Sequence, residues 1–553
     1  MIQLFQQHQI RRTQDLSGIW DFKVKDKPEK YQITVPGCWE QVPALSTYRG
    51  QGIYSRTIVI SELTNLRLVF KGISHTAEVY FDNQFIGRHY GAYTPFDLIV
   101  PQVKAGQHQL KIVVDNRFSE QSALHVPNDY YTYGGLTRGV VLEYLSDTYL
   151  QALTFTSHLQ ADQQWQAELT ATIVNLAAQT KSLTLAWTLA DQRYQQTVTL
   201  AANSQQKFTW SADFPEVTAW SPQTPQLYFL QAELIQSAQK LDDLIERVGF
   251  REVTMKQTQL LLNGRPIFLK GFNRHEDYPG VGCSLPLALM NRDLDLLEDL
   301  GANAVRTCHY PNDELFLDLC DQRGFLVWEE NHARGLSLAQ MENPNFDRQS
   351  AACIQEFIPA HYNHPSIIIW GLLNECASQT AIGRKKYQKQ FKQIRQLDQS
   401  RPVTAATRQH FTDLCLDLDD IVSVNMYSGW YDDHPVAAQL DQEYAWIQHA
   451  GGDNKPLIIS EFGAGGIYGD HDYFAKSKWS EERQVEIIAA NLETYLHDER
   501  ITGVFLWQFA DCRVMEQEWF ATRPRTYNNK GVVDEYRRPK LAYSTVKKYY
   551  HEK

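Results

Sequence analysis

Cysteine pairing is missing from this chain. The eight cysteines stand at 38, 283, 308, 320, 353, 376, 415 and 512, and no two form a CxxC pair. Reduced, mostly buried thiols are therefore expected, rather than disulfides or a zinc site. No apolar run approaches the ~20 residues of a membrane span. The opening MIQLFQQHQIRR holds no signal-type apolar segment, so the chain is read as cytoplasmic. Positive charge is short: 53 Lys and Arg against 65 Asp and Glu leave a net charge of -12, which argues against nucleic acid as a partner. GxSxG is absent, which removes the usual serine-esterase reading. GAGGIYG at 463–469 has the wrong spacing for a dinucleotide fingerprint. HYNH at 361–364 offers two histidines without a nearby third ligand. No cofactor and no catalytic metal are expected.

What is present is a long chain rich in rings. At 553 residues, with 13 Trp, 28 Tyr and 25 Phe, it is too long for one core and suggests roughly three or four domains. Such rings fit all-β cores and sugar-binding clefts alike. Residues 1–147 alternate in short stretches such as YSRTIVI, LRLVF and AEVYFDN, the rhythm of a jelly-roll β-sandwich. Residues 148–250 repeat that rhythm over about a hundred residues, as an immunoglobulin-like β-sandwich does. From 251 to 553 short apolar runs alternate with amphipathic helical stretches. The runs are IFLKGFN, NAVRTC, GFLVWEE, SIIIWGLLNE, PVTAAT, IVSVN, PLIISE and TGVFLWQ. Eight such runs predict a C-terminal (β/α)8 TIM barrel.

In such barrels the chemistry sits where strands end. The fourth predicted strand, IIIWGLLNE, ends at Asn374 and Glu375, and the seventh, LIISE, ends at Glu461. A carboxylate beside an apolar run is costly unless something uses or pairs it. Two at matching barrel positions fit glycosidic-bond cleavage, where one donates a proton and the other attacks the anomeric carbon or activates water.

Around these glutamates the sequence resembles glycoside hydrolase family two over almost its whole length. SGIWDF at 17–22, VPGCWE at 35–40 and YGGLTRGV at 133–140 are similar to that family's sugar-binding-like domain. KGFNRHED at 270–277 and AVRTCHYP at 304–311 are similar to its first and second barrel strands, and WGLLNE and ISEFG to its acid/base and nucleophile patterns. The resemblance implies Glu375 as general acid/base, Glu461 as nucleophile and Asn374 on the sugar 2-hydroxyl. It also implies retention of configuration, with carboxyl groups roughly 5–5.5 Å apart.

Within the family the chain resembles the β-glucuronidase group. VNMYSGWY at 424–431 resembles that group's sixth-strand motif through Asn425, Tyr427 and Tyr431, with Met426 and Ser428 departing from it. LWQFAD at 506–511 resembles the eighth strand, with Gln508 in place of Asn. Asn528-Asn529-Lys530, within RTYNNKGVVDE, matches the group's Asn-x-Lys motif. It implies Lys530 as the cation and Asn528 as the amide that hold a uronic-acid carboxylate. By the same resemblance His309 lies against the sugar, Arg306 near the nucleophile, Tyr427 donates to Glu461 and Trp507 floors the sugar site. Asp129 reaches in from the N-terminal domain, while Arg274 and His275 support the site. Arg523 and Arg525 straddle the position of a further arginine without matching its spacing.

The chain after NHARG at 331–335 is short where some gut-bacterial members insert a long loop, which implies an open cleft. The function expected is a retaining exo-β-glucuronidase acting on small-molecule or oligosaccharide β-glucuronides, as a homo-oligomer without membrane or nucleic-acid partners. The alternatives are a β-galacturonidase or β-galactosidase of the same family, or a non-catalytic carbohydrate-binding protein.

Overall fold

The computed structural model describes residues 3–553; the first two residues of the opening segment lie outside it. The N-terminal sandwich packs a four-stranded sheet on a six-stranded one. The reason is period-two burial. Along Gly18–Val24, Trp20, Phe22 and Val24 turn inward while their neighbours face out. They meet Leu66, Leu68 and Phe70 of the facing sheet in one core. The second sandwich sets three strands against four around Leu169, Leu185, Trp187 and Leu230. Arg11 fastens the two sandwiches, donating to Glu143 at 2.8 Å and to Asp242 at 2.7 Å.

The third unit is the parallel barrel. Its strands are β1 (Leu269–Arg274), β2 (Ala304–Thr307), β3 (Leu326–Glu330), β4 (Ile367–Gly371), β5, β6 (Val422–Asn425), β7 (Leu457–Phe462) and β8 (Ile501–Leu506). β1 pairs with both β2 and β8, which closes that side. β5 is split into Val403–Thr404 and Ala406–Thr407, so the barrel sheet counts nine segments. The break falls at Ala405, whose N–H leaves the ladder for the Asp419 carboxylate at 2.9 Å. Alternate residues divide the core. Leu269, Leu326, Ile368, Ile458 and Phe505 fill the barrel, and Phe272, Val327, Ile367, Ile459 and Leu506 face the helices. Gly271 leaves room for the Phe505 ring, which an added Cβ would meet at 2.3 Å.

Two expectations are corrected here. The apolar run through Glu375 is not one strand: β4 stops at Gly371. Leu372 and Leu373 turn out to the helix layer, and Leu373 and Glu375 take φ of 48° and 53°. That left-handed backbone, uncommon for residues with a Cβ, turns Asn374 and Glu375 over the mouth. β5, expected as one run over 402–407, is the split strand above.

All eight cysteines are unpaired and seven are buried. Among the described residues no helix is long and apolar enough to cross a membrane.

The first sandwich also supplies the barrel with a wall. Its segment 116–138 runs along the catalytic face, where Arg138 donates to Glu276 at 2.9 Å and Tyr133 to Asp277 at 2.5 Å. That docking brings Asp129 and Tyr130 to residues that follow β1, β2 and β8.

Candidate active site

Glu461 leaves the end of β7 and is buried. Its Oε1 accepts from Arg306 at 3.0 Å and its Oε2 from the Tyr427 hydroxyl at 2.8 Å. Arg306 is the hub of the floor. It spans both oxygens of Glu330 at 2.9 and 3.1 Å, and it reaches Asn273 at 2.9 Å and Asn374 at 2.8 Å. A guanidinium is a planar fork, so this many fixed partners lock it in place.

Glu375 accepts from the Asn425 amide at 2.9 Å on Oε1. On Oε2 it faces Arg334 at 3.3 Å and Arg408 at 4.0 Å. Asn425 is itself held by Ser460, which donates to its Oδ1 at 2.7 Å. Asn374 gives its oxygen to Arg306, and its amide nitrogen has no partner in the protein. A buried donor without an acceptor is rare, and this one lies between the two glutamates' supporting residues.

The two carboxyl groups differ in proton affinity. Burial, then the charge of Glu375, pushes the Glu461 carboxyl up to about 7 against the pull of Arg306. Burial would raise Glu375 too, but Arg334, Arg408 and the Asn425 hydrogen bond outweigh it and hold that carboxyl below its ordinary value. Such a pair titrates as one unit. Of the two, Glu461 has the higher proton affinity.

His309 carries its proton on Nδ1, because that atom meets the acceptor Glu330 at 2.8 Å. Its Nε2 is unpartnered, and burial, with Arg306 next, holds the ring neutral by lowering its pKa well below the ordinary range. Trp507 stacks on it with ring centres 5.1 Å apart. His275 joins this floor edge-on to Trp507 at 5.4 Å.

The far end of the pocket is built on the Asn-Asn-Lys-Gly turn. Asn529 donates to Pro524 and Tyr527 carbonyls at 2.9 and 2.8 Å and shapes the turn. Gly531 is required: an added Cβ would meet the Val533 carbonyl at 2.3 Å. Lys540 braces the turn from beneath through Gly466 O at 2.6 Å and Asp511 at 2.7 Å. The turn delivers Lys530, only 1% exposed. Its ammonium donates to the Tyr431 hydroxyl at 3.0 Å and lies 5.1–5.7 Å from the ring centres of Tyr427, Trp430 and Tyr431. Among the described residues no carboxylate pairs with it. Burial lowers its pKa against the pull of Tyr431. Beside it Asp129 takes Arg523 in a fork at 3.1 and 2.5 Å and the Asn528 amide at 3.0 Å. Asn528 thus turns its nitrogen to Asp129 and leaves Oδ1 unpartnered.

The structure brings together Glu375, Glu461, Asn374, Arg306, His309, His275, Asn425, Tyr427 and Trp507 at one end. Lys530, Tyr431, Asp129 and Asn528 meet at the other. Arg274 does not join them. It is buried against Asp293 at 3.0 Å and Asn312 at 2.8 Å, with Phe316 beneath, because those partners satisfy its fork away from the mouth. Of the two straddling arginines, Arg523 enters the site and Arg525 pairs with Glu535. Sequence reasoning missed Glu330, Arg334, Arg408 and Trp430. Glu330 ends β3 and Arg408 follows β5, so the strand-end rule reaches both.

Three family descriptions match consecutive stretches of the chain. "Glycosyl hydrolases family 2, sugar binding domain" covers 7–145, "Glycosyl hydrolases family 2" covers 148–251 and "Glycosyl hydrolases family 2, TIM barrel domain" covers 253–553. A β-galacturonidase from Eisenbergiella tayi, solved with galacturonate, is 48% identical with a TM-score of 0.97, covering 100% of this chain and 99% of that one. A β-glucuronidase from Streptococcus agalactiae is 29% identical over 98% of both chains. The structure of a β-D-glucuronidase from Dictyoglomus thermophilum is 25% identical with a TM-score of 0.86, over 99% and 98%.

Proposed function

The chain belongs to glycosyl hydrolase family 2 and is a glycoside hydrolase, and from that premise we propose that it is a retaining exo-β-uronidase whose preferred terminal sugar is galacturonic acid. The observation that carries the uronic-acid reading is Lys530, a buried ammonium that donates to a tyrosine hydroxyl, while the neighbouring Asp129 carboxylate is taken by Arg523 and Asn528. A cation held dry without a counter-charge is costly. A sugar carboxylate at C6 supplies that counter-charge, with an N⁺–H···O⁻ bond of the stronger kind.

The rest of the pocket then has work to do. Glu461, steadied by Arg306 and Tyr427, attacks C1 and forms the glycosyl–enzyme bond as the C1–oxygen bond to the leaving group breaks. Glu375 gives its proton to that oxygen. A water then yields its proton to Glu375 and its oxygen to C1, which releases the uronate and frees Glu461. The idle Asn374 nitrogen donates to the 2-hydroxyl, and the His309 Nε2 lone pair accepts from a neighbouring hydroxyl. For the first step the pair's proton has to move from Glu461 to Glu375, a shift favoured as C1 approaches the nucleophile.

The choice of galacturonide over glucuronide rests on the full-length similarity, at 48% identity, to a galacturonidase bound to galacturonate. A second reading, the β-glucuronide, is favoured by the 29% identical relative that carries that name. The two sugars differ only at C4. Turnover of aryl β-galacturonide, β-glucuronide, β-galactoside and β-glucoside by the wild type separates them. The expected order is galacturonide, then glucuronide, with both neutral sugars far behind. A neutral sugar turned over as fast as either uronide would end the uronidase reading. A glucuronide turned over fastest would replace the first reading with the second.

A further inference from the structure

The leaving group departs on the side of Glu375, and that side is cationic. Arg334 stands 3.3 Å from Glu375 Oε2 and also donates to Asn128 at 3.1 Å. Arg408 reaches the same oxygen only at 4.0 Å, and its side chain is 58% exposed. Among the described residues no hydrogen bond joins its guanidinium to the protein. Its N–H donors, beside Glu375, are therefore not used by any hydrogen bond within the protein. Three residues on, Phe411 is 55% exposed, its ring resting 5.7 Å from Trp446. A free fork and an apolar face thus share one short turn after β5.

The position of Arg408 is awkward for a neutral leaving group. A cation beside the general acid favours its ionised form, the form that cannot donate. An anion on the leaving group eases that conflict, because it occupies the Arg408 guanidinium and leaves Arg334 as the nearest cation on Glu375. The connection after β3 is short. β3 ends at Glu330 and the next helices are the short Leu338–Met341 and then Phe346–His361.

We propose that Arg408 and Phe411 form the leaving-group subsite, and that the group bound there is a ring, aryl or sugar, carrying an anionic substituent. This rests on the uronidase reading above. The chain's net charge of -12 does not oppose it, since screening at ~0.15 M salt confines exposed charges to ~8 Å and leaves the local cation in control.

The test compares matched leaving groups on one uronide. The aryl pair is 4-carboxyphenyl and 4-carbamoylphenyl. The sugar pair is the uronide linked to a uronic acid and to a neutral hexose. Wild type, Arg408→Gln and Arg408→Lys are assayed, with circular dichroism to verify folding. In the wild type the acidic member should be favoured in kcat/KM by about two- to fivefold, the scale of an exposed charge pair. The preference should shrink with added salt, collapse in Arg408→Gln and survive in part in Arg408→Lys. The alkaline limb of kcat should lie higher for the acidic member in the wild type and coincide for both in Arg408→Gln. A preference in only one pair names the source, aryl or sugar, and supports the subsite. Ratios near one in the wild type, or a preference that survives Arg408→Gln, overturn it. If neutral uronides turn over normally, the uronidase reading stands despite that failure. If no uronide turns over, both fall.

Discussion

The two ends of the sugar pocket are finished to different degrees. At the catalytic end both acids have partners already in place: Glu461 has Arg306 and Tyr427, and Glu375 has Asn425 and Arg334. At the far end the Lys530 ammonium is as deeply buried, yet it has one hydroxyl and three aromatic faces. The difference separates two tasks. Charge that develops during the reaction needs donors fixed beforehand. A charge that arrives with the substrate needs a vacancy of opposite sign, completed only on binding. The chemistry is therefore preorganised, and the selection is left for the sugar to complete.

Glu461→Gln should break the catalytic end outright, with kcat down by about 10⁴-fold or more on any glycoside. Residual turnover near wild type, measured on an aryl uronide, would remove Glu461 from the role of nucleophile. A smaller effect is expected at the selective end. Asp129→Ala leaves Arg523 buried without its carboxylate and should lower kcat/KM on uronides by about 10–100-fold, through roughly 1.5–3 kcal/mol. Most of that loss should appear in KM. A loss confined to kcat would mean that the two ends do not act separately.

The pH profile sharpens the same contrast. Turnover needs the acid pair to hold one proton, and burial beside Glu375 raises the Glu461 carboxyl of that pair to about 7. kcat/KM should therefore fall as pH rises through about 7. Arg334→Met removes the nearest cation from Glu375, strengthens its hold on a proton and should move that limb to higher pH. A limb that stays in place would detach it from the pair.

The smallest effect is on stability. Because the Glu461 carboxyl is raised from an ordinary 4.5 to about 7, the folded state holds a proton that the unfolded chain releases earlier. Its favourable contribution is complete below about 4.5 and is lost as pH rises through about 7. The always-neutral Glu461→Gln should thus gain more in Tm over wild type at pH 8 than at pH 5, by a few degrees. An equal gain at both values would contradict the raised proton affinity.

The meeting of Glu375 and Glu461 at one barrel mouth was legible in the sequence because both stand at the ends of predicted barrel strands. Glu375 and Glu461 stood beside apolar runs that had no other use for them. The sharp turn after Gly371 was not legible, since Leu372 and Leu373 prolong an apolar run whether the chain stays extended or bends to the helix layer. Partner choice was harder still. The amide of Asn528 goes to Asp129, 399 residues away in the chain, and Arg274 to a buried aspartate behind the mouth. Only the fold brings such groups together. Lys530 itself was found through a resemblance, because a lysine in a polar turn reads as surface until burial is known.

The central claim is that the unpaired ammonium of Lys530 receives the carboxylate of the sugar. Its most direct test is kcat/KM for an aryl β-galacturonide and the matching β-galactoside, each with wild type and Lys530→Met. The account predicts a fall of about 30- to several-thousand-fold on the galacturonide, the range of a buried charge pair losing one partner. The galactoside should change far less. Equal falls on both sugars would contradict it.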